Sequence, residues 1–428
     1  MSFADTFSVK ERRHFQNIAI WSALCGGIST QLIENHAPLV LFLTMLGANE
    51  SFAMFSTSLP WISQLLLLIP GASLCAFLGL RRTYTLSSVV GLLSFCLIAA
   101  APFFGNGAKY TVLAGCFIYA LTLTIYYSTW YPLLDNILSA DDRSKFFSRM
   151  RFIYMIFIAI MLFLLGKFLQ QKPELWLLQI CFIVAGVTLI GRKMCMDKIP
   201  IAPEMQCESP ALFKSLNICL HNRELIGFSV YMCFINMAFS AAMPLALIYM
   251  KTALDISAGN IMILTSVNMA GKITGFFLLG KFSSIVKVKY QFIITHILAF
   301  IAVAMLIFTA PSLNNLLWLF GCAFFLIGLV NALLQCIAAA EMLTIARPGN
   351  KIMAIAFSMT AIAVGTALGT LLTTLLLKVF RTAVICNIEL SKYRWLFVLF
   401  AAAILLAGFL LYLVPAVRRK SCKTALEN

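Results

Sequence analysis

Apolar residues run along this chain in long blocks, separated by short polar segments dominated by Lys and Arg. A helix needs about 20 apolar residues to cross the hydrocarbon core of a bilayer, and the blocks reach or approach that length. The pattern predicts twelve spans, at 16–46, 51–78, 86–106, 111–137, 151–170, 175–192, 225–250, 257–280, 290–310, 314–341, 352–378 and 394–416. The first block is longer than a bilayer requires, so it must tilt, kink or protrude. Pro38 predicts a kink there, because it cannot donate to the carbonyl of Glu34.

Composition excludes the alternatives to a membrane protein. Of 428 residues, 61% are hydrophobic and 11% charged, and the mean hydropathy is +0.94. A soluble chain carries about 25% charged residues, so too few polar residues remain to cover a core of this size. The same numbers exclude disorder. The formal charge of +16 does not indicate a nucleic-acid partner, because the basic residues lie in short loops between apolar blocks. Most of the 13 cysteines sit in apolar blocks and none forms a Cys-x-x-Cys pair, so neither a disulfide framework nor a metal site is expected. No cofactor is expected either. The polar, basic first sixteen residues and the long block behind them are not expected to form a cleavable signal peptide.

Basic residues at the span ends set the orientation. Of 32, 23 fall on the side of the N-terminus and the alternate loops, and eight on the other side. Both termini are therefore expected in the cytoplasm, which requires an even number of spans. Arg192 is counted with the loop residues, and Lys272 alone falls inside a span. The longest polar stretch, 193–224, contains Pro200, Pro203 and Pro210. It divides the chain into an N-terminal six-helix bundle (1–192), a cytoplasmic linker (193–224) and a C-terminal six-helix bundle with a basic tail (225–428). Ala211 to Leu220 in the linker suit a short amphipathic helix on the membrane surface.

The halves repeat at an offset of 206 positions. Asp135 pairs with Glu341, Pro38-Leu39 with Pro244-Leu245, Asn49 with Asp255, Arg81 with Lys287, Tyr84 with Tyr290 and Lys145 with Lys351. Chance matches of Leu and Ala mean little in so apolar a chain. Polar and Pro matches at corresponding span ends are harder to obtain by chance and indicate a six-helix repeat.

The loop after span two reads Leu74 to Arg82 (LCAFLGLRR), and its counterpart reads Gly280 to Lys289 (GKFSSIVKVK). Twelve spans, cytoplasmic termini, a central linker and these basic loops resemble the major facilitator superfamily over nearly the whole chain. The acid of that family's loop motif is missing, with Leu78 and Ser284 near its place. The resemblance implies two six-helix bundles rocking about a central substrate site.

Polar groups inside spans tend to line a pathway or pair with one another. Glu34 lies past the middle of span one, with Gln31 one turn earlier on the same face and His36 two residues on. A carboxyl in a low-dielectric site has its ionised form disfavoured, which suits proton coupling or a cationic group. The bland reading is a carboxyl paired with a neighbouring helix. Lys272 shares a face of span eight with Asn268. It could bind a substrate carboxylate, face Glu34 across the bundles, or snorkel toward the cytoplasmic end. Asn236 in span seven and Asn331 and Gln335 in span ten serve either substrate or interhelical packing.

Asp135 and Glu341 end spans four and ten on the cytoplasmic side. Arg81, Arg82, Arg143 and Arg149 are candidate partners for Asp135, and Lys281, Lys287, Arg347 and Lys351 for Glu341. The resemblance implies that such acids belong to cytoplasmic gates. Tyr126, Tyr127, Trp130 and Tyr131 cluster in span four, where packing is favoured over ligand stacking. Gly365-x-x-x-Gly369 suits close helix packing.

Span five carries only Gly166, so the Gly/Pro-rich signature of the family's drug–proton antiporters is missing. No Walker A sequence, His-Glu-x-x-His or Gly-x-Ser-x-Gly occurs. Enzymatic activity is not expected. The sequence predicts an all-α, monomeric secondary transporter of a small polar or amphipathic solute in a bacterial inner membrane, with protons as a candidate coupling ion. A non-transporting sensor with the same fold is the first alternative, and a membrane-embedded enzyme, which would need paired catalytic polar residues at a membrane interface, is the less favoured one.

Overall fold

The computed structural model describes residues 6–34, 36–135, 137–138, 143–171, 174–201, 212–282, 286–310, 313, 315–345, 351–379, 383–385 and 388–418. Among the described residues, the regular elements are helices apart from one short hairpin. The first half contains α1 (Val9–Glu34), α2 (Ala37–Met45), α3 (Glu50–Ser56), α4 (Leu59–Leu78), α5 (Leu80–Ala100), α6 (Ala108–Asp135), α7 (Arg143–Gln171) and α8 (Leu175–Asp197). A short helix, α9 (Leu212–Leu220), stands in the linker where the sequence suits an amphipathic helix. The second half contains α10 (Arg223–Phe239), α11 (Ala242–Thr252), α12 (Ala258–Phe282), α13 (Val288–Ile307), α14 (Leu316–Ile345), α15 (Lys351–Val379), α16 (Lys392–Phe409) and α17 (Pro415–Arg418). Between α15 and α16 the antiparallel strands β1 (Ala383–Ile385) and β2 (Ile388–Leu390) pair Ala383 with Leu390.

Helix starts follow local chemistry. Side chains of Asn49, Asn222 and Ser391 cap α3, α10 and α16 by accepting the backbone N–H of Phe52, Leu225 and Arg394. Ser8 and Glu11 bond reciprocally at the start of α1, as a capping box requires.

Among the described residues, ten apolar helical stretches are long enough to cross a membrane. One of them, Leu80–Tyr127, holds two helices, because the backbone turns at Gly105 (φ 52°) between α5 and α6. The helices turn large apolar side chains outward. On α8, Trp176, Ile180, Ile183, Val184, Val187 and Ile190 are exposed. Inward they present small and polar groups, as on α5, where Thr83, Ser87, Ser88 and Ser94 are buried. This arrangement suits lipid outside and helix packing inside.

Helix neighbours repeat. In the first half α5 packs on α6 and α8, α4 on α6, and α1 on α7 and α8. In the second half α13 packs on α14 and α16, α12 on α14, and α10 on α15 and α16. Gly365 and Gly369 close α15 onto α10, where any Cβ would strike the carbonyls of Cys233 and Met237. Across the halves, α7 lies along α12, α4 along α15, and α2 and α3 against α11.

Candidate functional site

The long first block is broken rather than bent. Backbone between α1 and α2 passes through His36, whose φ of 62° is left-handed. Such a conformation is uncommon for a residue with a side chain. Pro38 is the second residue of α2, a position where its missing N–H is harmless. The second half breaks at the matching place, between Phe239 at the end of α10 and Ala242 at the start of α11. There Ser240 Oγ donates 2.5 Å to the Asn236 carbonyl, and Pro244 is again near the start of the new helix.

Glu34 is the last residue of α1, so the break sets its carboxylate among side chains of other helices. Tyr127 of α6 donates its hydroxyl to Glu34 Oε1 over 3.4 Å. Lys272 of α12 lies near enough for its charge to act on both Glu34 and His36. Glu34 and Lys272 are both half-buried. Lys272 therefore points inward to the break instead of along α12 to its end. His36 is buried, and its Nδ1 has no hydrogen-bond partner among the described residues. Gln31 is buried one turn before Glu34.

The remaining polar candidates separate. Asn268 is fully buried and donates from Nδ2 to the Phe324 carbonyl over 2.8 Å, joining α12 to α14. Asn236 donates 2.7 Å to the Met232 carbonyl of its own helix. Asn331 is half-buried and Gln335 exposed on α14.

At the end of the helices that holds the start of α1, the end of α8 and the end of α14, two charged clusters form. Tyr84 donates 2.6 Å to Asp197 Oδ1, Lys193 pairs with Asp197 Oδ2 at 2.6 Å, and the charge of Arg81 acts on the same carboxylate. The acid missing from the loop after span two is thus matched by one from the end of α8. Glu341 is buried and its Oε1 accepts the backbone N–H of Ala416, 2.9 Å away, at α17. Arg82, Arg149, Lys281 and Lys287 are exposed. Arg347 and the side chains of Asp135, Arg143, Lys145 and Lys351 lie outside the described residues.

At the opposite end the two halves touch. Lys392 pairs with Glu50, Gln170 donates 2.5 Å to Asn260 Oδ1, and Gly166 lies against Gly259.

Sequence reasoning passes over three residues here. Tyr127 groups with the packing aromatics, Asp197 is hidden because it lies 113 positions from Tyr84, and Arg192 counts with the loops. Arg192 is instead the largest fully buried side chain among the described residues, 1% exposed. Its one sequence signal is a position at the very end of an apolar block.

A family model described as Major Facilitator Superfamily matches residues 19–342 and, in a second match, 228–427. No curated protein matches the chain by sequence. Among solved structures, the nucleoside transporter NupG superposes with a TM-score of 0.69 at 12% identity, covering 96% of this chain and 99% of that one. A POT family transporter in complex with a thioalcohol-conjugated peptide gives 0.72 at 11% identity, covering 94% and 96%. The inward-open xylose transporter XylE from E. coli gives 0.69 at 13% identity, covering 96% and 98%. At such identities the likeness is one of fold.

Proposed function

The chain belongs to the Major Facilitator Superfamily, and we propose that it is a secondary transporter moving a small polar or amphipathic solute by alternating access. One observation carries the reading. Glu34 and Lys272, from opposite halves of the chain, act on each other's charge beside a broken helix while keeping surface open. A fixed ion pair serving only stability gains most when it is well covered. Two half-open opposite charges suit a solute bearing both a cationic and an anionic group, or a proton exchanged at Glu34.

The twelve spans follow by counting α1 with α2, α3 with α4, α10 with α11, and α5 and α6 separately. In this reading residues 1–192 and 225–428 are the two rocking bundles, joined by the 193–224 linker. Both termini lie in the cytoplasm of a bacterial cell, and the working unit is a monomer. The contacts at the end opposite the termini then correspond to an outwardly closed, inward-facing state. The Asp197 and Glu341 clusters, with Arg81, lie at the cytoplasmic gate.

The test is an untargeted comparison of intracellular and medium solutes in cells expressing the wild type, Glu34→Gln or an empty vector, with and without a protonophore. A solute gained or lost only with the wild type identifies substrate and direction, and protonophore sensitivity supports coupling. No difference despite confirmed membrane expression would favour a sensor.

A further inference from the structure

Arg192 is a buried charge that this mechanism leaves unused. Its guanidinium carbon lies 3.8 Å from the centre of the Tyr126 ring. On the other side it passes α1 at Gly26, where a Cβ would stand 2.7 Å from Arg192 Cδ and 3.3 Å from Nη1. Only glycine leaves that slot open. The side chain thus leaves α8 and enters the seam between α1 and α6. The same seam holds Thr30 and Tyr119, whose hydroxyls are 3.4 Å apart, and then Tyr127 against Glu34. Gly26 and Glu34 are eight residues apart on one helix, about 12 Å at 1.5 Å per residue.

Within this seam the charge is uncompensated. Nε and Nη1 are buried with no hydrogen-bond partner. Among the described residues no carboxylate forms an ion pair with Arg192. A guanidinium does not deprotonate in proteins, so it cannot relieve burial by becoming neutral. Stacking on Tyr126 recovers only part of the lost hydration. The ring of Tyr126 is itself backed by Trp130, at 5.9 Å and 27°, which fixes the cation in place.

We propose that Arg192, Tyr126 and the slot at Gly26 form a binding site for a small organic carboxylate, where the acidic group of the solute docks on the cytoplasmic side of Glu34. One uncompensated cation calls for one negative charge, which favours a carboxylate over a phosphate dianion. A planar carboxylate matches the edge of a guanidinium through two parallel N–H···O bonds. The proposal rests on the transporter reading for its physiological meaning, and its binding test does not require flux.

The probe is benzoate, titrated against the purified full chain in nanodiscs, with the melting temperature as readout. Benzamide is the uncharged control and inorganic phosphate the alternative anion. Benzoate is expected to stabilise the wild type and benzamide to leave it unchanged. In Arg192→Gln the apparent Kd for benzoate should rise at least about tenfold. Gly26→Ala keeps the charge but displaces the guanidinium, so it should weaken benzoate too, while the exposed Lys378→Gln should not. A Gly26→Ala protein that melts as the wild type does yet has lost benzoate supports the site even where Arg192→Gln fails to fold. No benzoate response in the wild type, an equal response to benzamide, or a response to phosphate alone would overturn it. Solute flux without carboxylate binding sinks the site and leaves transport standing. Carboxylate binding without any flux leaves the site and removes the transporter reading.

Discussion

Glu50 and Lys392 form an ion pair although 342 positions separate them in the chain. Glu50 opens α3 and Lys392 opens α16, so the pair ties the two halves together at the end opposite the termini. Their side chains are 27% and 29% exposed, and a partly solvated pair is worth about 0.2–1 kcal/mol. That is small for stability and sufficient to bias two states of similar energy. Glu50→Gln or Lys392→Gln should raise the population open at that end by up to about fivefold. Labelling of Phe52→Cys by an impermeant maleimide reports it, and unchanged labelling would count against the latch.

Close approach of α7 and α12 makes a stronger prediction. A Cβ on Gly166 would stand 2.9 Å from the Gly259 carbonyl oxygen and 2.8 Å from Ile263 Cγ1. Gly166→Val should disfavour the closed arrangement by about 1–3 kcal/mol, as overpacking does. Flux should fall roughly 5- to 150-fold if closure is part of the cycle. Normal flux in a correctly folded Gly166→Val protein would show that the two helices need not meet.

Glu34 and Lys272 should behave as one unit. Glu34→Gln and Lys272→Ala are each expected to abolish accumulation of solute against its gradient. The double variant should lose less than the sum of the two, with a coupling of about 0.5–3 kcal/mol. Transport rates of the four proteins decide this, and strictly additive losses would mean that the charges work separately.

The first turn of α1 carries a pH dependence outside the membrane. The hydroxyl and backbone N–H of Ser8 hold the Glu11 carboxyl below its ordinary value. A carboxyl lowered in the folded state contributes above its unfolded value and ceases to contribute as pH falls through the lower folded one. Hydrogen exchange at Arg12 and Arg13, corrected for intrinsic rate, should therefore speed up only below about pH 4.3. Ser8→Ala should fray the turn at neutral pH as well. Protection that is the same at both pH values would remove the capping box from the account.

Much of this architecture is legible in one dimension because a bilayer reduces folding to length and polarity. The span pattern anticipates apolar helices and Pro38 marks the interrupted first block, whereas the span at 225–250 reads as continuous and its interruption before Pro244 appears only in the structure. The Gly365 and Gly369 pair anticipates a close-packed face, and the structure supplies α10 as its partner. Pro38 suggests a kink, whereas the structure has a full break before it, at His36. The reason is local: a left-handed residue ends a helix outright, and hydropathy carries no φ angle.

Sequence alone determined that this chain is a helical membrane protein, and it placed Glu34 and Lys272 as polar residues within apolar blocks. Only the tertiary structure decided which of those groups meet. Lys272 could run to the end of its helix or into the centre, and the packing of α12 along α7 and α14 turns it toward Glu34. Arg192 reads as a loop residue until α1 supplies Gly26 and α6 supplies Tyr126. Asp197 reads as a linker acid until Tyr84 reaches it. Hydrophobic periodicity records how much of a helix avoids water, while the direction of one side chain depends on neighbours distant in sequence.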